Sequence, residues 1–130
     1  MATIFTKIMD GEIPGAFVHQ DERCAAFLDV APMTDGHVLV VPREEIDHWI
    51  DMPEDLTAHL MSVAQRIGAA QKAAYGCERI GMMIQGYEVP HVHIHVWPTN
   101  AIKDFDPANK GPMAEPESLK ANAEKIIAAL

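Results

Sequence analysis

The chain has 130 residues, a formal net charge of −9, 48% hydrophobic and 22% charged residues, and two cysteines. That length suits one domain with its own core, and the acidity excludes a general affinity for nucleic-acid backbone or anionic membrane, though a local site for a small phosphate can oppose the global charge. No apolar run approaches a membrane span, no signal-peptide pattern follows Met1, and two cysteines make no disulfide framework, so a reduced, cytoplasmic setting is expected.

In chain order, "TIFTKIMDG" predicts a short amphipathic helix with Ile4, Phe5 and Ile8 on one side and Gly11 past its end. "EIPG" reads as a turn around Pro14. "AFVHQ" and "RCAAFLD" read as strands joined by a tight turn at Asp21-Glu22. "MTDG" is a loop, and "HVLVVP" a third strand that Pro42 ends. The segment 51–76 is the clearest helix. Pro53 suits its first position, and Glu54 and Asp55 suit the positive end of its dipole. Leu56, Leu60, Val63, Ile67, Ala70 and Ala74 share one face, and Gly76 supplies the stop. "RIGMMIQ" and "HVHIHVW" predict two more strands. Residues 99–115 read as a loop, and 116–130 as a closing helix with Leu119, Ala123, Ile126 and Leu130 facing inward. The expected class is α+β: a five-stranded, mostly antiparallel sheet with a long central helix and a C-terminal helix, all within one domain spanning 1–130.

The segment "EVPHVHIHVWP" (88–98) places His91, His93 and His95 on alternate residues. On a strand such residues share one face, so all three are expected on an exposed face with Val92, Ile94 and Val96 turned to the core. A polar surface that happens to use histidine does not explain strict alternation. A metal site shared by all three is opposed by geometry, because four residues of strand separate the outer pair by roughly 13 Å. Imidazole catalysis remains: one ring attacks while a neighbour handles the leaving-group proton, and phosphorus is a suitable target.

At these residues the chain resembles the histidine triad (HIT) family of nucleotide hydrolases and transferases. "HVHIHVW" is similar to the family signature. "TIFTKIMDGEIP", "RCAAFLDVAP" and "GHVLVVP" resemble its other segments in the same order. The resemblance implies a HIT-like fold and hydrolysis of a phosphoanhydride or phosphoramidate at the α-phosphorus of a nucleotide, a purine one by preference. It implies that His93 takes the nucleotidyl group, that His95 bonds the α-phosphate and leaving group, and that His91 and His37 support them. Asp29 would then hold the ribose hydroxyls. Ile4, Phe5, Phe27 and Val30 would surround the base, with ordinary core packing an equal reading for each. The resemblance further implies a homodimer and no cofactor. Gln85 stands near a family Asn, and Glu88 stands where a small hydroxyl residue contacts phosphate, so Glu88 is expected to point outward. Some bacterial members carry a structural zinc whose ligand positions correspond to Thr3, Thr6, Glu45 and His91, a set from which no metal is expected. A nucleotide-binding module without real turnover and a metal-binding protein using the histidine row stay open as alternatives. His19, His48 and His59 read as solvated, Cys24 and Cys77 as small buried thiols, and Met82 and Met83 as core filling. Trp97 and Tyr87 are expected to flank the site.

Overall fold

A computed structural model describes residues 2–130, apart from the side chain of Asn109. The elements are α1 (Ile4–Met9), β1 (Phe17–Gln20), β2 (Cys24–Leu28), β3 (Val38–Pro42), α2 (Glu54–Tyr75), β4 (Arg79–Met83), β5 (Ile94–Thr99) and α3 (Pro116–Ile127), with 3-10 turns at Trp49–Asp51, Ile102–Phe105 and Pro107–Asn109. The strands form one five-stranded sheet in the order β1-β2-β3-β5-β4, every neighbouring pair antiparallel. The architecture is the expected α+β one.

Period-2 alternation divides the sheet into two chemically different faces. Cys24, Ala26, Leu28, Val38, Val40, Ile94 and Val96 pack against Leu56, Leu60, Val63 and Ile67 of α2 and Ile126 of α3. The opposite face shows Ala25, Phe27, Leu39 and Val41, covered by Phe5 and Ile8 of α1. Continuing the same alternation places Asp29 after β2, His37 before β3, His93 before β5, and His95 and Trp97 along β5 on this second side. The sheet thus carries its main apolar core on one side and His37, His93 and His95 on the other.

Local chemistry sets the ends. Thr3 caps α1, its hydroxyl accepting from the Thr6 N–H. Gly76 ends α2 at φ +59°, the left-handed stop expected of it. Gly36 sits at φ +87°, where an added Cβ would fall 2.5 Å from the Tyr75 ring. The turn that delivers His37 therefore needs glycine at this position. Gln71, fully buried on α2, donates from Nε2 to the Gly36 and Val96 carbonyls at 2.8 and 2.9 Å. It ties the helix to the segments bearing His37 and His95.

Several expectations need correction. The last strand begins at Ile94, not His91, because residues 91–93 lie beyond the ladder with β3. There the Val92 N–H bonds the Ile46 carbonyl instead. The histidine row is not exposed: His91, His93 and His95 are all buried. Pro53 precedes α2 rather than opening it. Leu130 is exposed, since α3 stops at Ile127. Met82 is exposed on the edge strand β4 and fills no core. The loop at 99–115 contains the two 3-10 turns at Ile102–Phe105 and Pro107–Asn109.

Candidate active site

Four imidazoles gather on the α1 side of the sheet, and main-chain groups set their tautomers. The Met33 N–H donates to His37 Nδ1 at 2.9 Å, so the neutral His37 ring carries its proton on Nε2. That proton is donated to His95 Nδ1 at 2.9 Å. His95 must then carry its own proton on Nε2, a buried donor with no partner among the described residues. Next to it, His93 Nδ1 donates to the His91 carbonyl at 2.7 Å, which leaves Nε2 as the unprotonated nitrogen. The His93 and His95 rings lie 4.8 Å apart between centroids. Behind them, His91 donates from Nε2 to the Pro42 carbonyl at 2.7 Å and accepts on Nδ1 from the Thr3 hydroxyl at 2.7 Å. A free lone pair thus stands beside an unused N–H donor, and each is oriented from behind.

The electrostatics keep the supporting rings neutral. Burial, with the neighbouring His95, pushes His37 down to about 3. Burial and then His93 push His95 down to about 4. Burial also lowers His91. Asp29, at the end of β2, is raised by burial. Its Oδ2 lies 3.6 Å from His37 Nε2 and 3.8 Å from His95 Nδ1, while Oδ1 accepts from the Ala31 N–H.

Packing explains why the row is buried. Phe5 of α1 sets its ring 4.7 Å from His93 and 5.8 Å from His91. Trp97 does not line the site but stacks on His37 from behind at 5.4 Å, its indole N–H held by the Asp104 carbonyl. Phe27 is buried against Phe5 and Phe17. Ile4 and Val30 are about half exposed, so neither is core. Val30 instead lines a mostly apolar cleft of about 580 Å³ with Ile8, Phe27, Met113 and Leu119. That volume is of the size that takes a small organic ligand.

Two predicted residues stand apart from the cluster. Gln85 turns its side-chain oxygen to the Tyr87 N–H, and Tyr87 is 95% exposed rather than flanking the histidines. Glu88 is exposed, in keeping with the expected outward orientation, and its charge contributes to raising Asp29. Lys110 opposes it, acting on Asp29, His37 and His95 alike. The sequence reading missed Lys110, because nothing in a loop of Pro, Asn and Gly marks which cation turns inward. His19 and His59 are also not simply solvated: both bond Asp21.

A family model described as the HIT domain matches residues 10–102. The chain belongs to the HIT family. It is 37% identical over 99 residues to an uncharacterized HIT-like protein of Methanocaldococcus jannaschii, a match covering 73% of this chain and 77% of that protein. It is 34% identical over 98 residues to the adenosine 5′-monophosphoramidase of Saccharomyces cerevisiae, covering 75% of this chain and 62% of that one. The crystal structure of a HIT-like protein involved in cell-cycle regulation from Bartonella henselae superposes with a TM-score of 0.86 at 30% identity, covering 98% of this chain and 96% of that one. HIT proteins are nucleotide-binding hydrolases and transferases, and this chain shares their fold.

The HIT zinc positions do converge here, but their chemistry does not suit zinc. Thr3 donates to His91 and holds Glu45 through its backbone N–H at 3.1 Å. Hydroxyls replace thiolates, and the one imidazole nitrogen on offer already accepts a hydrogen bond. Asp29, His37 and His95 also place donor atoms within 4.8 Å of one another. A metal there would have to break the His37–His95 hydrogen bond. Among the described residues no helix is long and apolar enough to cross a membrane.

Proposed function

We propose that this HIT protein hydrolyses a nucleoside phosphoramidate or dinucleoside polyphosphate at the α-phosphorus through a nucleotidyl-histidine intermediate. The observation that carries the reading is the pair of opposite tautomers: a free lone pair on His93 Nε2 beside an unpartnered N–H on His95 Nε2. In the first step the His93 Nε2 lone pair forms a bond to phosphorus as the bond to the leaving amine or phosphate breaks. His95 Nε2–H bonds the α-phosphate and gives its proton to the leaving group. In the second step water attacks phosphorus, the P–N bond breaks back to His93, and His95 takes the water proton. A nucleoside monophosphate leaves with the site restored.

His37 and His91 serve as positioning residues, the first through the proton it donates to His95, the second through the carbonyl that orients His93. Asp29 accepts the ribose hydroxyls. The base, a purine by preference, enters the cleft lined by Ile8, Phe27 and Val30, with Phe5 and Ile4 at its α1 side. Lys110 offsets the negative charge that phosphate adds beside Glu88. The whole chain acts as one HIT domain in the cytoplasm, as a homodimer.

The yeast relative's phosphoramidase name supports trying an adenosine phosphoramidate first. Rapid quench with that substrate labelled at the α-phosphorus, followed by peptide mapping, is expected to place the label on His93. Label on His91 or His95, or full turnover in His93→Ala, overturns the reading.

A further inference from the structure

A second set of metal-competent side chains lies on the other side of the sheet, at the far end of β1 and β2. His19 is on β1, Asp21 begins the tight turn, Cys24 opens β2, and His59 reaches across from α2. Three donors converge on one oxygen. Asp21 Oδ2 accepts from His19 Nε2 at 2.7 Å, from His59 Nε2 at 2.8 Å and from Cys24 Sγ at 3.4 Å. Ligand atoms of His19, Asp21 and Cys24 all fall within 4.8 Å of one another. The other oxygen, Oδ1, accepts the backbone N–H groups of Arg23 and Cys24 at 2.7 and 2.9 Å. The carboxylate is therefore held from behind, as ligating carboxylates commonly are.

We propose that His19, Asp21, Cys24 and His59 form a tetrahedral site for a zinc-like divalent cation. Metal–ligand bonds of about 2.0–2.3 Å place the ligand atoms of a tetrahedron roughly 3.3–3.7 Å apart. The His19–Asp21 separation of 2.7 Å needs to open by less than about 1 Å, and His59, which bonds Asp21 at 2.8 Å but stands outside the set that lies within 4.8 Å, swings toward His19 and Cys24 by side-chain rotation to complete the tetrahedron. Two neutral imidazoles, a carboxylate and a thiolate give a charge of −2 that the cation cancels. On binding, the Cys24 proton leaves to solvent, and each imidazole moves its proton from Nε2 to Nδ1. Burial and then the charge of Asp21 push the free thiol up to about 12, while Arg43 and Arg66 pull the other way. The metal-free site holds a thiol, which coordination deprotonates. Arg43 itself bonds the Asp21 main-chain carbonyl, not the carboxylate. Entry is open, because the His19 and His59 side chains are 23% and 31% exposed. Cys24 and Asp29 stand five residues apart along β2, about 17 Å, and face opposite sides. The site is thus independent of the triad.

The test is titration of the full chain with Co²⁺ alone, followed in the near ultraviolet, then displacement by Zn²⁺ with a metal count. The expected result is one ion per chain with a thiolate-to-cobalt charge-transfer band. Cys24→Ala is expected to abolish the band. His59→Gln, at a half-exposed helix position that tolerates change, is expected to weaken binding at least tenfold. His95→Asn is expected to leave both unchanged. Absence of a stoichiometric ion, absence of the band in the wild type, or an ion lost in His95→Asn but kept in Cys24→Ala overturns the site.

Discussion

The sharpest expectations concern single side chains. His93→Ala is expected to lower turnover by more than the roughly 10²–10⁴-fold typical of a lost proton-transfer group, because it removes the attacking atom itself. His95→Ala is expected to fall within that range on an amine leaving group. On an activated leaving group that needs no proton the loss shrinks, and a steady-state comparison of the two substrates reads the difference. Asp29 is a binding prediction. Hydrogen bonds to a charged group contribute about 1.5–3 kcal/mol each. Asp29→Ala is expected to weaken nucleoside monophosphate binding at least about tenfold, and the wild type to prefer the ribonucleotide over its dideoxy form by calorimetric titration. A wild type blind to the ribose hydroxyls removes this role from Asp29. The histidine row is legible as strict alternation, whereas Asp29 and the separate roles of the three rings are read only through the resemblance of their segments to the HIT family. Lys110, Gln71 and the Met33 N–H are legible in neither way, since each acts by where the chain folds back, and a main-chain donor has no letter of its own.

At the level of elements, the strands and the long helix were legible because their apolar periods are strong: Leu56, Leu60, Val63 and Ile67 reach the core as their spacing predicts. What the period could not show was depth. Alternation correctly assigned the histidines to one face, but exposure there depends on α1, whose Phe5 closes over the row. The start of β5 also differs from the expectation, because pairing stops at Val40↔Ile94 although β3 runs on to Pro42: the Val92 N–H turns to the Ile46 carbonyl, and the Pro42 carbonyl accepts from the His91 side chain. The turn at Gly36 matters for the same reason, as it fixes where His37 enters. Gly36→Ala combines a positive φ with a collision against the Tyr75 ring. It is expected to cost more than about 1 kcal/mol in chemical denaturation and to raise KM or lower kcat through displacement of His37. Unchanged stability and kinetics show that the turn relaxes without consequence.

For the whole molecule, the neutral buried imidazoles make stability depend on pH. His37, His91 and His95 have lowered values in the folded state, against about 6.5 when unfolded. Between these values the unfolded chain binds more protons, so their contribution is complete above about pH 6.5 and is lost as the pH falls toward about 4. Asp29, raised by burial, acts in the opposite sense at the acidic end. Tm is expected to drop at least about 5 °C from pH 6.5 to 4.5, and His37→Gln to flatten that slope. An equal slope in both proteins removes His37 from the account. The expected homodimer needs surface beyond the apolar face of α2, which its own sheet already occupies. β4 is an open edge with Arg79 and Met82 exposed, so pairing there would continue the sheet, and light scattering at micromolar protein is expected to give twice the chain mass. A monomer mass at that concentration removes the dimer. The two-faced sheet has one more effect. Shifting β5 by a single residue against β3 would turn His93, His95 and Trp97 toward α2 and press Ile94 and Val96 against α1. Imidazoles stranded among leucines and valines leave unpaired donors at roughly 1–3 kcal/mol each. A slipped register is therefore disfavoured by the same alternation that gathers the histidines on one side.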